Sequence, residues 1–288
     1  MSKLNDIKKD TEAMATMIEL TGVFEGIASM KISKVKNQVL QSTQFFNELW
    51  NIYSQLRVDS LFRYGRGQNE TESIDKELII IITSEGGFSG DIDQRLIHAM
   101  LKNYDAEKQD IIVIGHHGAI QLAQRGVSFK KYFKLPERDQ NINVAPITKY
   151  ISQYFNTVVY YQEYVSLMSQ EVRQIAVNNA VAEIGSKTEN LENVISEENY
   201  IFEPSTYAVV MHLENSMMKI AISQLILQSK LAQYASRFRA MSASHQAAND
   251  SLHSMNIKYS RMKRAIKDDR IKEVINGMRK SRVRGGTL

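Results

Sequence analysis

The residue types best suited to chemistry fall in one short stretch and one pair. Residues 84–91, S-E-G-G-F-S-G-D, follow the apolar run 77–83 and precede an amphipathic segment. A strand, a glycine-rich turn and a helix N-terminus together present backbone N–H groups to an anion. The turn is neither G-x-G-x-x-G nor G-x-x-x-x-G-K-[ST]. Asp91 and Asp93 at the start of the helix would repel a phosphate while capping the helix. His116 and His117 follow the second apolar run, but neighbouring side chains point apart and no third ligand is near in sequence. With no cysteine, there is no thiol nucleophile, disulfide or thiolate metal site. No nucleophile, base and orienting group come together, so the expectation is no catalytic residue, no cofactor and no metal.

The elements that carry these residues alternate. Strands are expected at 77–83, 110–115, 128–135, 157–165 and 171–180, the last two antiparallel. Helices are expected at 91–104, 117–126 and 145–155, with Pro146 in the first turn of the last. Alternating strands and helices predict a small Rossmann-like α/β domain around a mostly parallel sheet, spanning 71–200. Residues 57–72 and 185–199 read as polar links into and out of it.

Both ends of the chain follow a different rule. Between Pro204 and Gly277 there is no other proline or glycine to break a helix. From Leu213, alternate steps of 4 and 3 pass through Met217, Ile220, Gln224, Leu227, Leu231, Tyr234, Phe238, Met241, His245, Ala248, Leu252, Met255, Tyr259, Met262 and Ile266. Only Gln224 and His245 are not apolar. A repeat of 3.5 residues lays one narrow seam along a helix, the pattern of a supercoiled partner. Such a helix is roughly 105 Å long at about 1.5 Å per residue and needs another long helix to cover it.

The N-terminal end supplies that helix. Its seam runs from Leu4 through Ile7, Thr11, Met14, Ile18, Thr21, Glu25, Ala28, Ile32, Val35, Val39, Ser42, Phe46, Leu49 and Tyr53 to Leu56, with a weak spot at Gly22 and Gly26. The fold expected is α/β: a long antiparallel coiled coil of helices at 1–60 and 204–282 flanking the central domain.

Charge excludes some partners. The 36 basic and 32 acidic residues leave a net +4, which is no nucleic-acid footprint. No run approaches the ~18 apolar residues of a membrane span, and no signal peptide is visible, so no direct membrane insertion is expected. The basic excess gathers near the C-terminal end, at Lys258, Arg261, Lys263, Arg264, Lys267 and beyond, fitting either a solvated helix end or docking on an acidic surface.

Four stretches resemble one family, the gamma subunit of rotary F-type ATP synthases. Y-I-F-E-P-S at 200–205 is similar to its signature before the long C-terminal helix. Residues 237–241, R-F-R-A-M, resemble its R-M-V-A-M, and the match continues without a gap through Tyr259, Ala265, Glu273 and Gly277. Residues 82–96 resemble its I-T-S-D-R-G-L-C-G-G-L-N-S-N-L, and 20–31 its I-T-K-A-M-E-M-V-A-A-S-K. The chain departs at Gly22, where the family has Lys, at Ala247, where it has Asn, and at Asp269, where it has Gln.

The resemblance implies a non-catalytic central shaft inside a ring of alpha and beta subunits. Its foot would contact the epsilon subunit and the membrane c-ring, and the complex would lie peripherally on the cytoplasmic face of the cell membrane. It further implies partner contacts at Lys31, Lys34, Arg237, Lys258, Arg261 and Asp269. Two other classes fit the elements alone: a coiled-coil scaffold or tether with an α/β head, and a small nucleotide-binding enzyme with helical arms, which predicts ligand binding at 84–91.

Overall fold

The computed structural model describes residues 2–55, 74–137, 139–140, 142–177, 203 and 205–284. The expected link segments, most of Y-I-F-E-P-S and the domain edges at 60, 71 and 200 lie outside these residues. The chain divides into two compact units, Ile27–Arg239 and Met1–Gly26 with Ala240–Leu288. No helix among the described residues is long and apolar enough to cross a membrane.

Two long helices open and close the chain: α1, Ser2–Gln55, and α5, Thr206–Arg284. Between them lie β1 (Ile74–Ile82), α2 (Ile92–Leu101), β2 (Gln109–Ile114), α3 (His116–Gln124), β3 (Lys131–Phe133), α4 (Ala145–Ile151), β4 (Tyr154–Tyr164) and β5 (Gln170–Ala176). The sheet order is β3-β2-β1-β4-β5. The first four strands are parallel, and β5 returns antiparallel on β4. The third expected strand shrinks to three residues, Lys131–Phe133, at the sheet edge, and the chain has left the sheet before Pro136.

β1 and β2 are buried on both faces, so they read as continuous β-branched runs rather than alternating ones. One face packs Ile79, Ile81, Ile111 and Val113 under Leu96, Ile97 and Met100 of α2 and Leu122 of α3. The other packs Leu78, Ile80, Ile82, Ile112 and Ile114 under Ile147 and Ile151 of α4 and under Ile222, Leu225 and Ile226 of α5. The second face is thus completed by the C-terminal helix. Where β2 passes β1, Gly115 has φ +101, and a Cβ there would sit 2.1 Å from the Thr83 carbonyl oxygen, so no other residue fits.

The 3.5-residue seam is visible in burial. On α1, every described residue of the expected series is at least half-buried, whereas Leu40 and Phe45, which lie off it, are exposed. In the larger unit, Phe46 packs with Met217 and Ala221, and Val35 with Leu227 and Leu231. Lower residues of α1 therefore meet higher residues of α5, and the two run in opposite directions.

The polar members of the seam find each other. Gln224 Nε2 donates to Thr43 Oγ1 at 2.8 Å. In the smaller unit, His245 Nδ1 lies 3.1 Å from the Ile18 carbonyl and 3.4 Å from Thr21 Oγ1. Gly22 and Gly26 do not interrupt α1. Gly22 faces the His245 ring, which a Cβ would meet at an ordinary 3.5 Å. On α5 the half-buried series continues through Leu252, Met255, Tyr259, Met262 and Ile266. From Lys267 to Arg279 every residue is exposed.

Candidate functional site

The turn at 84–91 is occupied by the chain itself. Arg237 of α5 donates from Nε to the Gly87 carbonyl and from Nη2 to the Gly86 carbonyl, both at 3.2 Å. Its neighbour Ser236 donates Oγ–H to the Ser89 carbonyl at 2.7 Å. Between these fixed carbonyls Phe88 takes φ 65, rare for a residue with a Cβ. A cradle whose carbonyls face a guanidinium offers no phosphate site.

Asp93 is the hub below the turn. Its carboxylate is 1 % exposed and accepts from the Ser84 amide at 3.2 Å, from Ser84 Oγ, from Gln162 Nε2 at 2.9 Å and from His117 Nδ1 at 2.8 Å. The sequence expectation that Asp91 and Asp93 cap α2 is corrected here. Neither makes a side-chain cap bond: Asp91 pairs with Arg95 at 3.3 Å, and Asp93 is turned into the core to satisfy four donors. The hydrogen bond to Asp93 raises the His117 pKa, against the opposing effect of burial. Ser84 is itself buried, and its hydroxyl hydrogen is spent on the carboxylate.

His116 goes elsewhere, as adjacent side chains must. Its amide donates to Glu85 Oε2 at 3.2 Å, and its ring meets Tyr132 edge-on. Glu85 also accepts from Tyr132 Oη at 3.0 Å and from the Leu135 amide at 3.1 Å, stapling the turn to α3 and to the end of β3. Among the described residues no group of histidines and acids could hold a metal ion.

The residues singled out as partner contacts divide between the two units. Lys31, half-buried, and Lys34, exposed, lie on α1 in the larger unit with Arg237. Lys258, Arg261 and Asp269 are exposed on α5 in the smaller unit. Asp269 pairs with Lys272 one turn on at 3.3 Å. Arg237 is half-buried, 5.5 Å over the Tyr234 ring, and burial lowers its pKa.

Sequence reasoning missed a second stripe on α5. Ser229, Lys230, Gln233 and Ser236 are all buried and bonded into the α/β domain. They lie off the 3.5-residue seam, continuing the line of Ile222, Leu225 and Ile226. The one signal was the apolar group Ile222, Leu225 and Ile226, off the seam and on the line that the polar stripe continues.

The ATP synthase family pattern matches residues 3–279. The chain belongs to that family. Among its curated relatives are ATP synthase gamma chains. That of Chlorobium phaeobacteroides is 23% identical over 294 residues, covering 96% of this chain and 98% of its own. That of Rickettsia bellii is 22% identical, covering 96% and 99%.

Solved structures share the fold. A chain in the Euglena gracilis mitochondrial ATP synthase, solved as OSCP/F1/c-ring, superposes with TM-score 0.69 at 12% identity, covering 100% of this chain and 97% of that one. A chain of the central stalk/c-ring of the Tetrahymena thermophila enzyme reaches 0.54 at 17% identity, covering 78% and 98%.

Proposed function

We propose that this chain is the gamma-type central-stalk rotor of an F1-type rotary ATPase or ATP synthase. In this reading the helices at 1–60 and 204–282 form an antiparallel coiled coil that turns inside a ring of alpha and beta subunits. The α/β domain at 71–200 forms the foot that meets an epsilon subunit and a membrane c-ring. The chain is non-catalytic, and nucleotide chemistry belongs to the ring. It is held at the cytoplasmic face of the cell membrane through its partners.

One observation carries the reading: a family match over nearly the whole chain falls on a seam that pairs α1 with α5 and then stops at Ile266, with Lys267 to Arg279 exposed beyond it. A helix that runs on for several turns with exposed Ile271, Val274 and Ile275 is built to enter another protein. Basic side chains at Lys31, Lys34, Lys258 and Arg261 suit acidic loops of a ring. Exposed pairs contribute only about 0–1 kcal/mol each, so a shaft can pass from one subunit to the next without sticking. Arg237 uses two of its five N–H donors internally and keeps others for a partner.

Co-expression with the alpha and beta subunits of the same organism tests the reading. A stable complex whose ATPase drives rotation of this chain is expected. A chain that purifies alone, as a self-associating rod, points instead to a scaffold.

A further inference from the structure

Five polar residues along one side of α5 reach into the α/β domain. Ser229 Oγ donates to Gln162 Oε1 and lies 3.4 Å from the Ile82 carbonyl. Lys230, 2 % exposed, pairs with Asp139 and donates to the Pro136 carbonyl at 2.8 Å. Gln233 Nε2 donates to Gln162 Oε1 at 3.2 Å and to Ser229 Oγ at 3.1 Å. Ser236 and Arg237 hold the Ser89, Gly86 and Gly87 carbonyls. Spacings of one, three and four keep all five on one side of the helix. What they grip is distributed: the ends of β1 and β4, the turn before α2 and the segment after β3.

Stability alone does not call for this arrangement. A buried ion pair replaced by apolar side chains of similar volume is often as stable or more so. The same face two turns earlier is apolar, at Ile222, Leu225 and Ile226. The difference lies in direction. Apolar contact is non-directional and tolerates a helix turning about its own axis. Hydrogen bonds weaken steeply once bent, and a rotation of α5 by one residue step, about 100°, would carry each donor away from its acceptor.

On the rotor reading above, we propose that Ser229, Lys230, Gln233, Ser236 and Arg237 are positioning residues that lock the azimuth of α5 to the α/β domain. Torque on the helix then enters the sheet without slip. The stripe serves as a spline, and the apolar residues beside it supply the adhesion.

The full chain is tested alone, anchored through the C-terminal end of α5 with a bead on the α/β domain. The two variants are Lys230→Met with Asp139→Leu, and Ser229→Ala with Gln233→Leu. Lys230→Met with Asp139→Leu removes both charges together, so a melting temperature near the parent value is expected, whereas Ser229→Ala with Gln233→Leu strips the buried Gln162 Oε1 of both donors and should melt lower. Amides at 134–137 in the first variant, and at 82–84 and 161–163 in the second, should exchange faster, by about fivefold for each net hydrogen bond lost. The angular distribution of the bead should broaden in both variants. A width equal to the parent's, with exchange accelerated, would reduce the stripe to a structural contact and overturn the proposal. The rotor reading fails separately, if the parent chain does not enter a complex with ring subunits.

Discussion

Tyr53 near the end of α1 donates its phenol hydrogen to Glu214 Oε1 near the start of α5, at 3.0 Å and across 161 residues of sequence. Burial, then the charge of Glu214, pushes the phenol up from its ordinary value, so Tyr53 stays a donor. Burial raises the Glu214 carboxyl, and the hydrogen bond from Tyr53 opposes that rise. Tyr53→Phe should cost about 1 kcal/mol, the net value of one such bond. Denaturant unfolding of the full chain checks it, and a loss undetectable beside the parent would remove the pair from the account of the seam.

Packing below that pair makes a larger demand. Phe46 is fully buried against Met217 and Ala221. Phe46→Ala should cost about 3–5 kcal/mol, from lost transfer energy and the cavity left behind. The exposed Phe45 beside it provides the control: Phe45→Ala should change little. Equal losses at the two positions would refute the seam.

Charge placed in the seam should grade with burial. Leu231 is 5 % exposed and packs on Val35, so Leu231→Asp should cost more than about 3 kcal/mol. Phe238 is only half-buried, and the same change there leaves the carboxylate a route to water, so the loss should be smaller. Paired melting curves give the order directly; the reverse order would contradict it.

His117 gives the larger unit a pH dependence. Its folded pKa is raised, first by the hydrogen bond to Asp93. A raised pKa means the folded state holds the proton more tightly. The stabilisation is therefore complete below the unfolded value of about 6.5 and is lost as pH rises through the folded value. His117→Gln should narrow the gap in stability between mildly acidic and mildly alkaline solution. A gap unchanged by the substitution would show that another group titrates.

The turn at 84–91 should not bind ATP. Its Gly86 and Gly87 carbonyls face Arg237, and Asp93 is fully engaged below it. Calorimetry of the full chain should give no heat in the micromolar range. Saturable binding there, abolished by a substitution in the turn, would favour the enzyme reading.

The seam was legible because a 3.5-residue repeat needs no knowledge of the partner: Leu231, Met241 and Ala248 announce a face by spacing alone. Strands β1 and β2 were legible as β-branched runs. The second stripe was not. Ser229, Lys230, Gln233 and Ser236 look like solvated polar residues until the sheet they serve is in place, and those partners are 67 to 147 residues away. Asp93 misled for a related reason. At the start of a helix an aspartate reads as a cap, and only the arrival of His117 and Gln162 turns it into a hub. Local rules found what a helix does for itself, and missed what it does for a distant element.

The sheet borrows Ile222, Leu225 and Ile226 from the last helix of the chain, and that sets a schedule for synthesis. Domains generally fold as units and from the N-terminus while the ribosome is still working. Here all five strands leave the ribosome before the helix that completes one of their faces, so Ile80, Ile82, Ile112 and Ile114 have only Ile147 and Ile151 of α4 packed on that side until it arrives. During that interval the nascent chain presents an apolar sheet face to whatever is nearby.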